Sequence, residues 1–405
     1  MNKEIRKDLE LRRLEAKDLT QFNDILRYAF QVTDEQLLKV GWKHDEIKRS
    51  KFPILEKAEV IGWFEDERLA AQIAVYPLQV NISGSIYEMG YITGVATYPE
   101  YMGLGLMSGL MKKSLETMYG RNQCISFLFP YSHPLYRHKG WEVVSDKMTF
   151  RIRDNQLPRD IDVPGRVKRV KENSPDLIAL HDTFARQTHG CLVRNELVWE
   201  EYWRWDVEDV TAAIYYGEDD QPRGYLVYLI ENDVFHVKEM VYMNQEARKG
   251  LWGYIAAHES MINEVVGNNY NNHTISFLFG DSDMKETIRP YIMARIVDFE
   301  GFFKQYHFSN TEINESLTFD IVDTVLEWNN RSFTVKFSPG QAPVLVDEPS
   351  ENRVKLEIGI LTCMLLGYKR PTYLQQIERL EASKKTVAIL ESVIANEKIY
   401  FSDYI

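Results

Sequence analysis

The sequence predicts an α+β protein built from three consecutive units. Two observations carry this reading: hydrophobic residues alternate along the chain between helical and strand-like spacing, and 405 residues exceed what one ordinary core accommodates. Internal repetition is the third, because Ile275-Ser-Phe-Leu-Phe279 reproduces Ile125-Ser-Phe-Leu-Phe129.

The elements follow in order. A charged strand is expected over 9–14, and Asp18 is expected to cap an amphipathic helix in which Phe22, Ile25, Leu26 and Phe30 share a face. A second helical pattern covers 34–49. The period then shifts, and 59–64, 69–82 and 87–97 predict consecutive antiparallel strands. A helix opening at Gly103 and Gly105, a strand over 124–129, a short helix over 134–139 and a closing strand over 142–151 complete a first unit at 1–153. Residues 154–165 are polar, carry two prolines and mark a linker. A second unit spans 166–306, with Gly250 and Gly253 expected to form a glycine turn like that at Gly103 and Gly105, and a strand expected at the repeated pentapeptide. The third unit, 307–405, mixes strands at 332–337 and 354–358 with helices at 360–366 and 372–380.

Composition narrows the function. With 44% hydrophobic and 27% charged residues the chain is a folded, water-soluble type, without an apolar run of membrane-span length or an apolar signal core at its start; a cytoplasmic protein is expected. The net charge of −12 and the absence of a Lys/Arg cluster argue against nucleic acid as a partner. Acidity suits an amine substrate, and equally suits mere solubility. The three cysteines, Cys124, Cys191 and Cys363, suggest neither a disulfide framework nor a zinc site. No metal is implied: His133 and His138 are not spaced as two ligands on one helical face, and His258 lacks the second histidine of a zinc protease. Asp24, Asp34 and Glu35 either line a cation-accepting pocket or lie on solvated helix faces.

The informative stretch is Tyr98-Pro-Glu-Tyr-Met-Gly-Leu-Gly-Leu-Met-Ser-Gly-Leu-Met-Lys-Lys113, directly behind the strand-like run Gly90-Tyr-Ile-Thr-Gly-Val-Ala-Thr97. Glycines between a strand and a helix either make a tight turn or let the backbone approach an anion, since the first helical N–H groups lack partners within the helix. A dinucleotide fold fails on context: Gly109 falls at the wrong spacing for the third glycine, and no acid for a ribose ends the next strand.

The first unit resembles a GCN5-related N-acetyltransferase (GNAT), and the whole chain resembles the Eis (enhanced intracellular survival) family. That resemblance implies two tandem GNAT units, the second degenerate and structural, followed by a sterol-carrier-protein-like α+β domain. It implies acetyl-CoA as co-substrate: Val95, Ala96 and Thr97 meet the pantetheine arm and thioester, Gly103, Leu104, Gly105, Leu106, Met107 and Ser108 form the pyrophosphate loop, and Tyr131 and Ser132 line the other side. The family's Arg or Gln at the loop opening is replaced here by Glu100-Tyr-Met102, which removes a side-chain charge from the cofactor. Tyr136 is implied as general acid and the carboxylate of Ile405 as general base; read alone, Tyr136 would be one packed aromatic among 23 tyrosines. The resemblance further implies direct transfer to a primary amine of a polycationic small molecule, aminoglycoside-like or polyamine, by a homo-oligomer, a hexamer in the family. A non-catalytic acyl-CoA or lipid-binding protein is the alternative.

Ordinary pKa values test these roles. A tyrosine near 10 protonating a thiolate near 8.5 is about 2 kcal/mol uphill. Full deprotonation of an alkylammonium by a free α-carboxylate is about 9 kcal/mol uphill, so that carboxylate is expected to orient the amine and pass its proton through water. Backbone N–H groups of Val95 to Thr97 are expected to polarise the thioester carbonyl.

Overall fold

The computed structural model describes residues 8–39, 43, 51–159, 161–204, 210–270, 273–310 and 312–405. Strand β1 (Leu9–Arg13) leads to helix α1 (Leu19–Phe30), which buries Phe22, Ile25 and Leu26 and leaves Phe30 exposed. Asp18 precedes α1 but does not cap it with its side chain. Its carboxylate instead accepts from the Arg12 guanidinium at 2.8 and 3.0 Å and from the Glu15 N–H at 2.9 Å, a charge-assisted pairing stronger than one helix N–H offers. The helix expected over 34–49 is present as α2 (Asp34–Lys39); 40–42 and 44–49 lie outside the described residues. After α3 (Phe52–Lys57), the meander β2 (Glu59–Glu65), β3 (Arg68–Ile82) and β4 (Ser85–Thr97) is antiparallel throughout. Then come α4 (Leu106–Gly120), β5 (Ile125–Leu128), α5 (His133–Arg137) and β6 (Glu142–Val143).

The strand expected over 142–151 is two elements in two different sheets. β6 stays in the first sheet, whereas β7 (Asp146–Arg153) leaves it. The second unit continues through β8 (Arg166–Val170), α6 (Pro175–Gln187), β9 (Leu192–Val193), α7 (Glu196–Arg204), β10 (Thr211–Tyr216), β11 (Pro222–Glu231), β12 (Val234–Tyr242), α8 (Gln245–Ala256), β13 (Glu264–Asn269), β14 (Lys285–Pro290) and β15 (Met293–Ile296). β15 returns to the first sheet and fills the gap between β5 and β6, with Met293 opposite both Leu128 and Val143. β7 lies between β13 and β14 of the second sheet. Each sheet thus takes a strand from the other segment, and neither hydrogen-bond ladder is continuous without the exchange.

The repeated pentapeptide does not mark equivalent strands. Residues 125–128 form the buried strand β5, while Ser276–Leu278 form a single 3₁₀ turn with Phe277 91% exposed. The counterpart of β5 is β13, which lies parallel to β12 as β5 lies parallel to β4.

Helix α9 (Phe299–Phe303) opens the third unit, and its sheet contains β16 (Ser316–Val322), β17 (Ser332–Lys336), β18 (Val344–Val346), β19 (Arg353–Glu357) and, at one edge, β20 (Glu381–Ala382). Helices α10 (Ile358–Leu365), α11 (Pro371–Gln376) and α12 (Lys384–Val393) pack with it. Ile358 opens α10 rather than closing a strand, and every residue of that helix is buried.

Candidate active site

The site begins where two strands part. β4 and β5 pair in parallel from Met89 opposite Ile125 to Ile92 opposite Leu128, after which β4 runs on to Thr97 without β5. Its other edge stays paired with β3, but the register slips: Thr93 faces Ala74 and Ala96 faces Gln72, which places Gly94 and Val95 in a bulge. Gly94 has φ +60°, a left-handed conformation that glycine adopts without a Cβ penalty. The cleft between the strands is therefore lined by the β4 backbone beyond Ile92, and the Thr97 hydroxyl is buried there without a hydrogen-bond partner.

Beyond Thr97 the chain makes a 3₁₀ turn and enters α4 through Gly103 (φ +79°) and Gly105 (φ +81°). Gly105 is the N-cap and brings no side chain to the first-turn N–H groups of Leu106, Met107 and Ser108. A Cβ at Gly103 would meet nothing within 4 Å, so the loop borders open space. The first turn is held from below, because Leu106 is buried and its carbonyl accepts from Trp63 Nε1 at 3.1 Å. Close approach of α4 to β4 depends on Gly90, where a Cβ would lie 2.6 Å from Met118. Glu100, which stands where the family has Arg or Gln, is paired with Arg68 at 2.5 Å. Uncapped helix N–H groups, two left-handed glycines and open space suit a diphosphate.

Across the cleft, Ser132 is the N-cap of α5 and Tyr131 is 91% exposed. Tyr136, only 5% exposed, meets Trp141 edge-on with centroids 6.5 Å apart, and burial pushes its phenol up to about 12. It belongs to the apolar cluster on the α4 side of the sheet, with Ile92, Leu110 and Leu128.

The chain terminus reaches the other face. Side chains alternate along a strand, so Tyr91 and Thr93 point away from the face that carries Ile92. Phe401 stacks on Tyr91 and on Phe127, with centroids 6.2 and 5.4 Å away. Two residues later Asp403 is anchored twice: its carboxylate accepts from Arg194 at 2.7 Å, and its carbonyl accepts from the Tyr291 hydroxyl at 2.9 Å. Arg194 also donates to both oxygens of Glu239, at 2.6 and 3.1 Å. Ile405 lies two residues further on, and its backbone oxygen accepts from Thr93 Oγ1 at 3.1 Å, one residue before the bulge. Tyr136 and Ile405 thus approach the strand opening from opposite faces of one sheet, and Val95, Ala96 and Thr97 lie along it. Gly94, Trp63, Arg194 and Asp403 are structural contributors that sequence reasoning passed over. Only Gly94 carried a local signal, a glycine inside a strand pattern.

The second unit is built differently at the equivalent place. Asn244 caps α8 with its own side chain, accepting from the Ala247 N–H at 2.8 Å. Gly250 and Gly253 form no turn: both lie inside α8, where a Cβ at Gly250 would lie 2.3 Å from the Tyr215 ring and one at Gly253 would lie 3.3 Å from Ile161. They serve packing. Asp24 is exposed and Asp34 pairs with Arg27. Among the described residues no three His, Cys, Asp or Glu side chains are grouped to hold a metal ion.

Comparison with known proteins finds three domains in succession. The profile of the acetyltransferase (GNAT) domain matches residues 10–144, a second acetyltransferase (GNAT) domain profile matches 190–296, and the sterol carrier protein domain matches 299–402. A probable N-acyltransferase from Enterococcus faecalis V583 is 26% identical, with 98% of this chain and 99% of that one covered and a TM-score of 0.89. A GCN5-related N-acetyltransferase from Anabaena variabilis (21% identical, 98% and 100% covered, TM-score 0.85) and Eis1 from Mycobacterium abscessus (17%, 98% and 100%, 0.80) share the fold. No curated protein matches the sequence. With a full-length fold in common and both acetyltransferase domains followed by a sterol carrier protein domain, the chain is an acyltransferase built from tandem GNAT domains and a sterol carrier protein domain.

Proposed function

We propose that the first unit transfers the acetyl group of acetyl-CoA directly to a primary amine bound with it in a ternary complex. The observation that carries the reading is the convergence of an uncapped helix N-terminus at Gly105, the opened β4 edge and the chain terminus on one cleft. Acetyl-CoA supplies the activated acetyl group. The N–H groups of Leu106 to Ser108 hold its pyrophosphate, with Gly103 and Leu104 completing the loop; Tyr131 and Ser132 form the opposite wall, and the β4 backbone from Val95 to Thr97 polarises the carbonyl. The Ile405 carboxylate orients the amine and receives its proton, directly or through water, while Tyr136 returns a proton to the departing sulfur.

Burial makes this acid weaker than the sequence alone suggested. A phenol near 12 lies about 3.5 units above an ordinary thiol, so complete proton transfer is uphill by about 5 kcal/mol, and donation concerted with sulfur departure is the cheaper route. The polycationic acceptor and the homo-oligomer rest on the family resemblance and the cytoplasmic location on the sequence composition, and we retain the homo-oligomer and the cytoplasmic location as part of the proposal.

The alternative of a lipid-binding protein finds no support in the third unit, where the cleft among Phe299, Phe303 and Phe308 has no volume open to a water molecule. The test is a panel of primary amines with acetyl-CoA, read as CoA release and as the melting-temperature shift with acetyl-CoA alone. A shift with turnover on at least one amine supports the proposal; a shift without turnover on any of them favours a binder.

A further inference from the structure

A cavity of about 590 Å³ lies against the terminal segment, with Phe129, Ser402 and Tyr404 on its wall. Phe129 follows the last β5 residue paired with β4 and meets Tyr404 edge-on at 5.0 Å, so this cavity adjoins the strand opening on the face that carries Ile405.

The charges on its wall are not those of a polycation site. Among the described residues its two carboxylates are already engaged: Glu239 holds Arg194 through both oxygens, and Glu201 pairs with Arg204 at 2.6 Å and Lys51 at 3.5 Å. Its cations are differently placed. Lys147 on β7 and Arg289 on β14 stand directly opposite each other on neighbouring antiparallel strands, an arrangement that like charges destabilise. Neither forms an ion pair with a carboxylate among the described residues, and the Lys147 ammonium is disfavoured by burial with no acid to offset it. It points over the rings of Tyr291 and Tyr270, 5.6 and 5.9 Å from their centroids. Lys238 also lines the wall, where it donates to the Tyr202 carbonyl at 3.3 Å.

Resting on the acetyl-transfer reading above, we propose that the acceptor occupies this cavity, that it carries an anionic group of the carboxylate class in addition to its amine, and that Lys147 and Arg289 bind that group. The aromatic wall takes the apolar body between the two ends, and a second ammonium on the acceptor would meet repulsion. The preferred acceptor is thus amino-acid-like, not a polyamine.

Three probes of one size test this: 4-(aminomethyl)benzoate, its carboxamide, and 1,4-bis(aminomethyl)benzene. Calorimetric titration of the full chain, with and without CoA, should show the benzoate binding about tenfold or more tighter than the carboxamide, the low end for a hydrogen bond to a charged group, with the dication no tighter than the carboxamide. The Lys147→Met/Arg289→Gln double variant should lose that preference, and Arg289→Gln alone, at an exposed position, should reduce it without affecting folding. Tightest binding of the dication, a carboxylate preference that survives the double variant, or no binding of any probe would overturn the proposal. An absent acetyl-CoA shift would instead overturn the acetyl-transfer reading, because the probe titrations without CoA do not depend on it.

Discussion

Thr93 donates its hydroxyl to the terminal oxygen of Ile405 at 3.1 Å, although the two residues are separated by most of the chain. The contact brings the Ile405 backbone oxygen to the residue just before Gly94, where the bulge begins. A semisynthetic C-terminal amide at Ile405 keeps an oxygen for Thr93 but removes the charge. Acetyl-CoA should still bind, while turnover should fall by about 10² or more, the range of general base catalysis. Full activity of the amide would transfer the role to Asp403, whose Oδ2 is buried without a partner and whose carboxyl burial pushes up to about 6.

Tyr136→Phe removes one hydroxyl from a packed ring. Acetyl-CoA binding should be unchanged and turnover slowed about 10²- to 10⁴-fold in a CoA-release assay. Because burial holds this phenol near 12, it stays protonated through pH 10, so an alkaline fall in wild-type activity below that pH would come from another group.

Gly105→Glu puts a Cβ on a residue at φ +81° and a negative charge at the N-terminus of α4. The melting-temperature shift with acetyl-CoA should vanish, because a carboxylate would occupy the N–H groups proposed to hold pyrophosphate. An undiminished shift would move the cofactor site away from this loop.

His181, buried in the second unit beside Tyr225 with its Nδ1 2.8 Å from that hydroxyl, is lowered to about 3, first by burial and then by the Arg194 charge. Its folded value lies below an unfolded value near 6.5, so the stability it contributes is present above 6.5 and is lost as pH falls through the window down to 3. Urea unfolding should show wild type losing about 2 kcal/mol more than His181→Gln between pH 7.5 and 5. Equal losses would mean that His181 is protonated in the fold.

The pattern of elements in the first unit was readable because it is local. Spacing of Phe22, Ile25 and Leu26 predicts a face of α1, and the glycines at 103 and 105 mark the left-handed entry to α4 that the structure contains. Where a local rule met a stronger distant partner it failed, as at Asp18, which Arg12 takes from the helix it precedes. The pentapeptide identity also misled: the N–H groups of Ile275 and Ser276 are taken by the Glu286 carboxylate, and the second copy turns instead of pairing as a strand.

The sequence by itself determined the order of helices and strands, the glycine loop and the three-part family likeness, all of which reside in neighbouring residues and their periods. Only the tertiary structure decided the strand exchange of β7 and β15, the bulge at Gly94, and the path of the last residues across the first sheet. The reason is physical: a buried arginine at position 194 must be compensated by Glu239 and Asp403 from different elements, and stacking of Phe401 on Phe127 buries surface that neither segment can cover alone. Such pairings carry no period along the chain, so the location of Ile405 becomes visible only once distant segments meet.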